Sequence, residues 1–240
     1  MKPNILITGG LGFIGSHLYE RLKDDYSITI LDNFTNNKIN EVDCELIIGD
    51  IRTFRTDEVF DYVIHLAAIA SISPEFNPEL YSVNVAGFEN IYRHVKTNNF
   101  IYASSAAAIN KANHYGITKA INEHTAKDSL GLRFFNVYGK RDNGVVGKLC
   151  KGNGIVFGGN QTRDFIHVND ITNFIARNLD RKGLVELGTG IETPIKELAK
   201  IIGKPFSFST PKEYEEQRSV CFNPINCNYK LKDGIKEVLL

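Results

Sequence analysis

Short apolar runs recur along the chain at Asn4–Thr8, Ser27–Leu31, Leu46–Ile48, Tyr62–Leu66, Phe100–Ala103 and Gly131–Phe135, and most intervals between them carry apolar residues at helical spacing. That alternation of strand and helix predicts a parallel, doubly wound sheet. Both faces of such a sheet are covered, so its strands should be nearly continuously apolar, as in Val63-Ile64-His65-Leu66 and Leu132–Phe135. Val85, Phe88, Tyr92 and Val95 follow Asn84 at helical spacing, giving a stripe for the core or for a second copy of the chain. Beyond Tyr138-Gly139 the pattern gives way to Gly- and Asn-rich turns, Gly144–Gly159, before Phe165-Ile166 and a helical stretch Val168–Leu179. A last helix is predicted over Pro194–Ile202, followed by a segment with little periodicity. The expected fold is α/β: a Rossmann-type doubly wound parallel sheet over residues 1–139, rejoined by 165–187. Residues 140–164 and 188–240 then make a small C-terminal substrate-binding lobe.

Composition narrows the function classes. The 240 residues suffice for one α/β core and a small lobe, and 28 basic side chains balance 28 acidic ones, so no basic stripe points to nucleic acid. Cys44, Cys150, Cys221 and Cys227 lack close metal-ligand spacing, and a disulfide framework is not expected in a chain of this size. The first apolar run is too short for a signal peptide or a membrane span. These features predict a reduced, cytoplasmic protein with no metal, no nucleic acid and no membrane among its partners.

Thr8–His17 reads T-G-G-L-G-F-I-G-S-H between a short apolar strand and a helical stretch, the context of a phosphate-binding turn. Gly9 serves the tight turn, Gly12 the approach of a pyrophosphate, and Gly15 close packing of helix on strand; N–H groups at the helix start remain for the anion. Asp32 ends the next strand at the spacing of a carboxylate that holds an adenosine ribose, and it would repel a 2′-phosphate, so NAD is favoured over NADP.

A second constellation follows the strand Phe100–Ala103. Ser104-Ser105 end it, and Tyr115 and Lys119 come later, one helical turn apart. A tyrosine is a poor base with a pKa of about 10, and lowering it by roughly three units takes about 4 kcal/mol. A positive charge near 4 Å supplies about that at an effective dielectric of about 20, which predicts that Lys119, with a bound nicotinamide ring, activates Tyr115. Ser105 would donate to the substrate oxygen. His65 and His167 are expected to be packed, His114 exposed, and Asp164 to fix a turn or pair with Arg163.

In these blocks the chain resembles the extended short-chain dehydrogenase/reductases, in particular their NAD-dependent epimerases and dehydratases of nucleotide sugars. The blocks occur in order: T-G-G-x-G-F-I-G at Thr8–Gly15, L-D-N at Leu31–Asn33, G-D-I at Gly49–Ile51, H-L-A-A at His65–Ala68 and N-V-x-G at Asn84–Gly87. Then come Ser104-Ser105, Y-G-x-x-K at Tyr115–Lys119, R-F-F-N-V-Y-G at Arg133–Gly139 and R-D-F-I-H-V at Arg163–Val168. The resemblance implies that NAD is lined by Gly9, Gly12, Phe13, Ile14, Gly15, Asp32, Asn33, Leu66, Ala67, Ala68, Asn84, Tyr115 and Lys119, with Asp50 and Ile51 at the adenine. It implies that Ser105, Tyr115 and Lys119 are catalytic, and that Asn136, Arg163 and Arg218 hold the diphosphate of a nucleotide sugar. It further implies a homodimer through helices at Asn84–Lys96 and Tyr115–Lys127. Dehydratases and decarboxylases of this family carry an acid just after the strand-end serine or threonine, whereas this chain has Ala106-Ala107, so a 4-epimerase is expected. A ketoreductase or dehydrogenase of nucleotide sugars, or a non-catalytic NAD sensor or scaffold, are the alternatives. The chain departs from the family in a very short Asn110–His114 connection, in Glu186 where relatives carry Asn, and in the absence of Pro-Gly-Asp after Arg218.

Overall fold

The computed structural model describes all residues except 1, 72, 153, 212–215 and 240. Along the chain run β1 (Asn4–Thr8), α1 (Phe13–Leu22), β2 (Ser27–Asp32), β3 (Glu45–Ile48), β4 (Val59–His65) and α2 (Pro78–Tyr81). A π-helical turn at Ser82–Gly87 leads into α3 (Phe88–His94), β5 (Lys96–Ser105), α4 (Ala107–Asn110), α5 (His114–Thr125), β6 (Leu130–Phe134) and β7 (Asn136–Tyr138). Then come α6 (Val145–Cys150), β8 (Gly154–Phe157), β9 (Thr162–His167), α7 (Val168–Arg177), β10 (Gly183–Leu187) and β11 (Glu192–Pro194). The chain ends with α8 (Ile195–Ile202), β12 (Phe206–Ser209), β13 (Arg218–Ser219) and α9 (Leu231–Leu239).

Seven strands form one sheet in the order β10-β6-β5-β4-β1-β2-β3. The order reverses outward from β1, the doubly wound arrangement that the alternation predicts. Ile5, Leu6, Ile7, Ile30, Leu31, Val63 and Ile64 are essentially inaccessible, which is why these strands show no polar face. Against them packs an aromatic-rich cluster of Phe60, Phe88, Phe100 and Tyr102 with Ile91 and Val95.

The contacts divide the chain into two compact units. One comprises residues 1–133 and 172–185, the other 134–171 and 186–240. In the second, β9 is flanked by β11 and β13 and also pairs with β7, while β12 pairs with β8. Its core is built from Tyr138, Val146, Leu149, Phe165, Leu198, Ile202 and Ile235.

Two stretches differ from expectation. The helix expected from Asn84 begins at Pro78, with Asn77 Oδ1 accepting from Glu79 N at 2.9 Å, and passes through the π turn before α3. Val95 already has extended backbone, yet its side chain stays in the core. The segment after Ile202, read as lacking periodicity, contains β12 and α9. Among the described residues no helix is long and apolar enough to cross a membrane, no group of side chains could hold a metal ion, and all cysteines are free.

Candidate active site

The glycine turn links β1 to α1. Gly9 has φ +70°, and a Cβ on it would lie 2.7 Å from the Ala67 nitrogen, so only glycine fits between β1 and the chain leaving β4. At Gly15 a Cβ would fall 2.2 Å from the Gly9 carbonyl. No side chain caps α1 at Gly12, so its first-turn N–H groups are left to an anion. Asp32 closes the other side of the turn: its carboxylate accepts from Leu11 N at 3.0 Å and from Phe34 N at 2.9 Å. Two of about four acceptor positions are thereby used, and the remaining ones suit a ribose diol. An uncapped helix start beside a buried carboxylate fits the pyrophosphate and ribose of NAD.

The other residues expected at the cofactor are placed as follows. Leu66 N donates to Thr8 O at 3.0 Å, and Leu66, Ala67 and Ala68 are half-buried just beyond β4. Asn33 is exposed and accepts from Thr35 N, while Phe13 and Ile14 open α1 half-buried. Asp50 is engaged by Arg52, whose guanidinium holds its carboxyl below the usual carboxylate range, and Ile51 is buried against Gly87. Asn84 is fully engaged within the protein. Its Oδ1 accepts from Ile69 N at 2.8 Å, and its Nδ2 donates to Ile69 O at 2.9 Å and to Thr118 Oγ1 at 3.2 Å. Its amide therefore fastens the loop after β4 to α5 and has no N–H left for a ligand.

Ser105, Tyr115 and Lys119 come together where β5 meets α5. Asn113 Oδ1 accepts from Gly116 N at 2.8 Å and so starts α5 one residue before Tyr115. Lys119, 2 % exposed, donates to Ala103 O at 3.0 Å, and its Nζ lies 5.7 Å from the centre of the Tyr115 ring. The Ser105 hydroxyl hydrogen-bonds the phenol and favours its ionised form. Burial outweighs this and pushes Tyr115 up to about 12, while it pulls Lys119 down to about 8. In the protein alone, desolvation of the phenolate thus wins, and the activation expected of Tyr115 needs the charge of a bound nicotinamide ring beside that of Lys119.

His114 corrects an expectation. It is half-buried rather than exposed, its Nδ1 sharing a 2.9 Å hydrogen bond with Tyr81 Oη and its ring meeting Phe76 edge-on. His65 is packed as expected between Phe88 and Phe100, hydrogen-bonded to Thr8 Oγ1 at 2.9 Å, and burial holds it down to about 3. Sequence reasoning missed Glu123, one turn beyond Lys119, which binds Ser104 and Arg133. Its position on the Tyr115–Lys119 face was the signal available.

In the second unit Asn136 pairs with Phe165, so Asn136 and Arg163 lie on one face of the small sheet. Arg218 pairs with Thr162 and falls on the other face. There its Nε donates to Glu192 Oε2 at 3.1 Å and its guanidinium lies 5.7 Å from the centre of the Phe222 ring. Asp164 fixes a turn, accepting from Thr189 N, Gly190 N and Cys221 N.

Residues 5–188 match the NAD dependent epimerase/dehydratase family, and the chain belongs to it. It is similar to a protein of Methanocaldococcus jannaschii whose naming as a UDP-glucose 4-epimerase is provisional, 32% identical over 98% of this chain and 97% of that one. It is also similar to a UDP-N-acetyl-alpha-D-glucosaminuronate decarboxylase of Bacillus cytotoxicus, 30% identical over 84% of this chain and 80% of the relative. A solved UDP-N-acetylglucosamine 4-epimerase of Methanobrevibacter ruminantium, in complex with UDP-N-acetylmuramic acid, superposes with a TM-score of 0.86 at 25% identity, over 100% of this chain and 98% of that one. The chain is thus an NAD-dependent enzyme of a family whose members named above are UDP-sugar enzymes.

Proposed function

We propose that the protein is a nucleotide-sugar 4-epimerase, the reaction in which one sugar hydroxyl is oxidised and the ketone then reduced from its other face. The observation that carries this reading is the juxtaposition of Ser105, Tyr115 and Lys119 with two alanines after the serine. Ala106 is buried and the Ala107 backbone packs against Gly116, so neither position offers a group that could move the extra proton of an elimination. Bound NAD would supply the hydride acceptor and donor and a positive charge that favours the phenolate. Tyr115 Oη takes the hydroxyl proton and later returns it, Ser105 donates to the sugar oxygen, and the Lys119 ammonium favours the phenolate. Asn136 and Arg163 hold the diphosphate, the guanidinium as a fork suited to phosphate oxygens.

A homodimer in a reducing cytoplasm belongs to the same reading. Ile121 on α5 leaves 37% of its surface exposed, an apolar contact for a second copy. The test is proton NMR of UDP-hexoses incubated with the purified protein. Epimerisation at C4 is expected, and Tyr115→Phe should lower kcat about a thousandfold with NAD binding unchanged. A dehydrated or decarboxylated product, or full activity in that variant, would refute the reading. Sedimentation of the same sample should give twice the monomer mass.

A further inference from the structure

Consecutive residues at the end of β5 are held by successive turns of α5. Ser105 meets the Tyr115 phenol, the Ala103 carbonyl accepts from Lys119 Nζ at 3.0 Å, and the Ser104 hydroxyl donates to Glu123 Oε1 at 2.6 Å. Tyr115, Lys119 and Glu123 are spaced by four residues and form one stripe along the helix. The last of them is held from the neighbouring strand as well. Arg133 on β6 donates through Nε to Glu123 Oε1 at 2.9 Å and through Nη2 to Oε2 at 2.8 Å, and the two side chains are 22% and 12% exposed respectively. A carboxylate gripped by a guanidinium fork and a hydroxyl has little freedom to turn away.

Lys119 is the group that gains from a fixed negative charge. It is enclosed, and its hydrogen-bond acceptor at Ala103 is a neutral carbonyl. Burial favours the neutral amine, and the charge that opposes this is Glu123. From β4, His65 faces Lys119 and stays neutral in the core; from its own helix Tyr115 does, protonated at neutral pH. Arg133, which reaches the carboxylate from β6, tempers its negative charge.

We propose that Glu123, fixed by Ser104 and Arg133 one helical turn from Lys119, is a positioning residue whose carboxylate favours the charged form of the ammonium that the Ala103 carbonyl holds beside Tyr115. The proposal deepens the epimerase reading and rests on it for the catalytic use of that ammonium. It separates two tasks within one helix face: Tyr115 meets substrate, and a carboxylate two turns away maintains the charge between them.

The test reads Lys119 directly and activity separately. In protein carrying ¹⁵N-lysine, the Nζ signal lost in Lys119→Arg reports the titration midpoint of this ammonium. Glu123→Gln keeps the shape and removes the charge, so the midpoint should fall by about one pH unit or more. The alkaline limb of the kcat profile should move down with it. Arg133→Met leaves the carboxylate without its counter-charge and should move the midpoint up, so it carries the test if the glutamine variant does not fold. An unmoved midpoint, or a shift of the wrong sign, in either folded variant overturns the proposal. Shifts of the expected signs in a protein that epimerises no nucleotide sugar would sustain the Glu123 role and refute the epimerase reading instead.

Discussion

Gly12 has backbone angles of φ −69° and ψ −177°, which any residue can adopt, and a Cβ there would meet the Gly9 carbonyl at 3.2 Å, a tight contact relieved by a small shift. Neither backbone strain nor an outright collision demands glycine, so the larger part of the demand comes from what approaches the turn. Gly15 is the opposite case, because its Cβ would collide with backbone at 2.2 and 2.7 Å. Gly12→Ala should therefore weaken NAD binding by about tenfold or more while the melting temperature stays close to that of the parent. Gly15→Ala should cost about 1–3 kcal/mol of stability, as overpacking does. Calorimetric titration with NAD and urea unfolding of both variants check this, and equal stability losses would remove the distinction. At this scale the sequence displayed the glycines, Asp32, Tyr115 and Lys119, because short-range spacing carries them. Glu123 was hidden because its partner Arg133 stands ten residues away on β6 rather than on the same helix, and a lone helical glutamate reads as a solvated one.

Register separates the two arginines expected at the diphosphate. Side chains alternate along a strand, so a pairing of Arg218 with Thr162 turns it away from the face that Arg163 shares with Asn136. Arg163→Ala should raise KM for a UDP-sugar by about 10- to 100-fold, the loss of a charge-assisted hydrogen bond worth about 1.5–3 kcal/mol. Arg218→Ala should change KM by less than about threefold, since it disturbs an exposed pair with Glu192. Steady-state kinetics of the two variants decide, and equal rises would show that the strand pairing does not govern the site. That register could not be read from the sequence, because β13 is two residues long and carries no pattern. The strands of the large sheet were legible because each is a buried apolar run. α9 was not: its apolar Leu231, Ile235 and Val238 are interrupted by Gly234, which sits where a Cβ would lie 2.4 Å from Tyr138 Oη.

The folded state as a whole carries a neutral histidine in its core, and this ties its stability to pH. His65 is held down to about 3 by burial, with Lys119 adding to the effect, whereas in the unfolded chain it titrates near about 6.5. Above that value both states hold it neutral and its contribution is complete. As pH falls, the unfolded chain takes up a proton that the folded protein refuses, so stability is lost at up to about 1.4 kcal/mol per pH unit. Between pH 6.5 and 5, where most carboxylates remain ionised, the loss from this group should approach about 2 kcal/mol. His65→Gln retains a hydrogen-bonding group for Thr8 and cannot take up that proton. Urea unfolding at pH 7 and pH 5 should show a smaller acid loss in the variant than in the parent, with the other histidines cancelling between them. Identical losses would mean that His65 is protonated within the fold, and a charged His65 between the Phe88 and Phe100 rings would be incompatible with the packing described for β4 and β5.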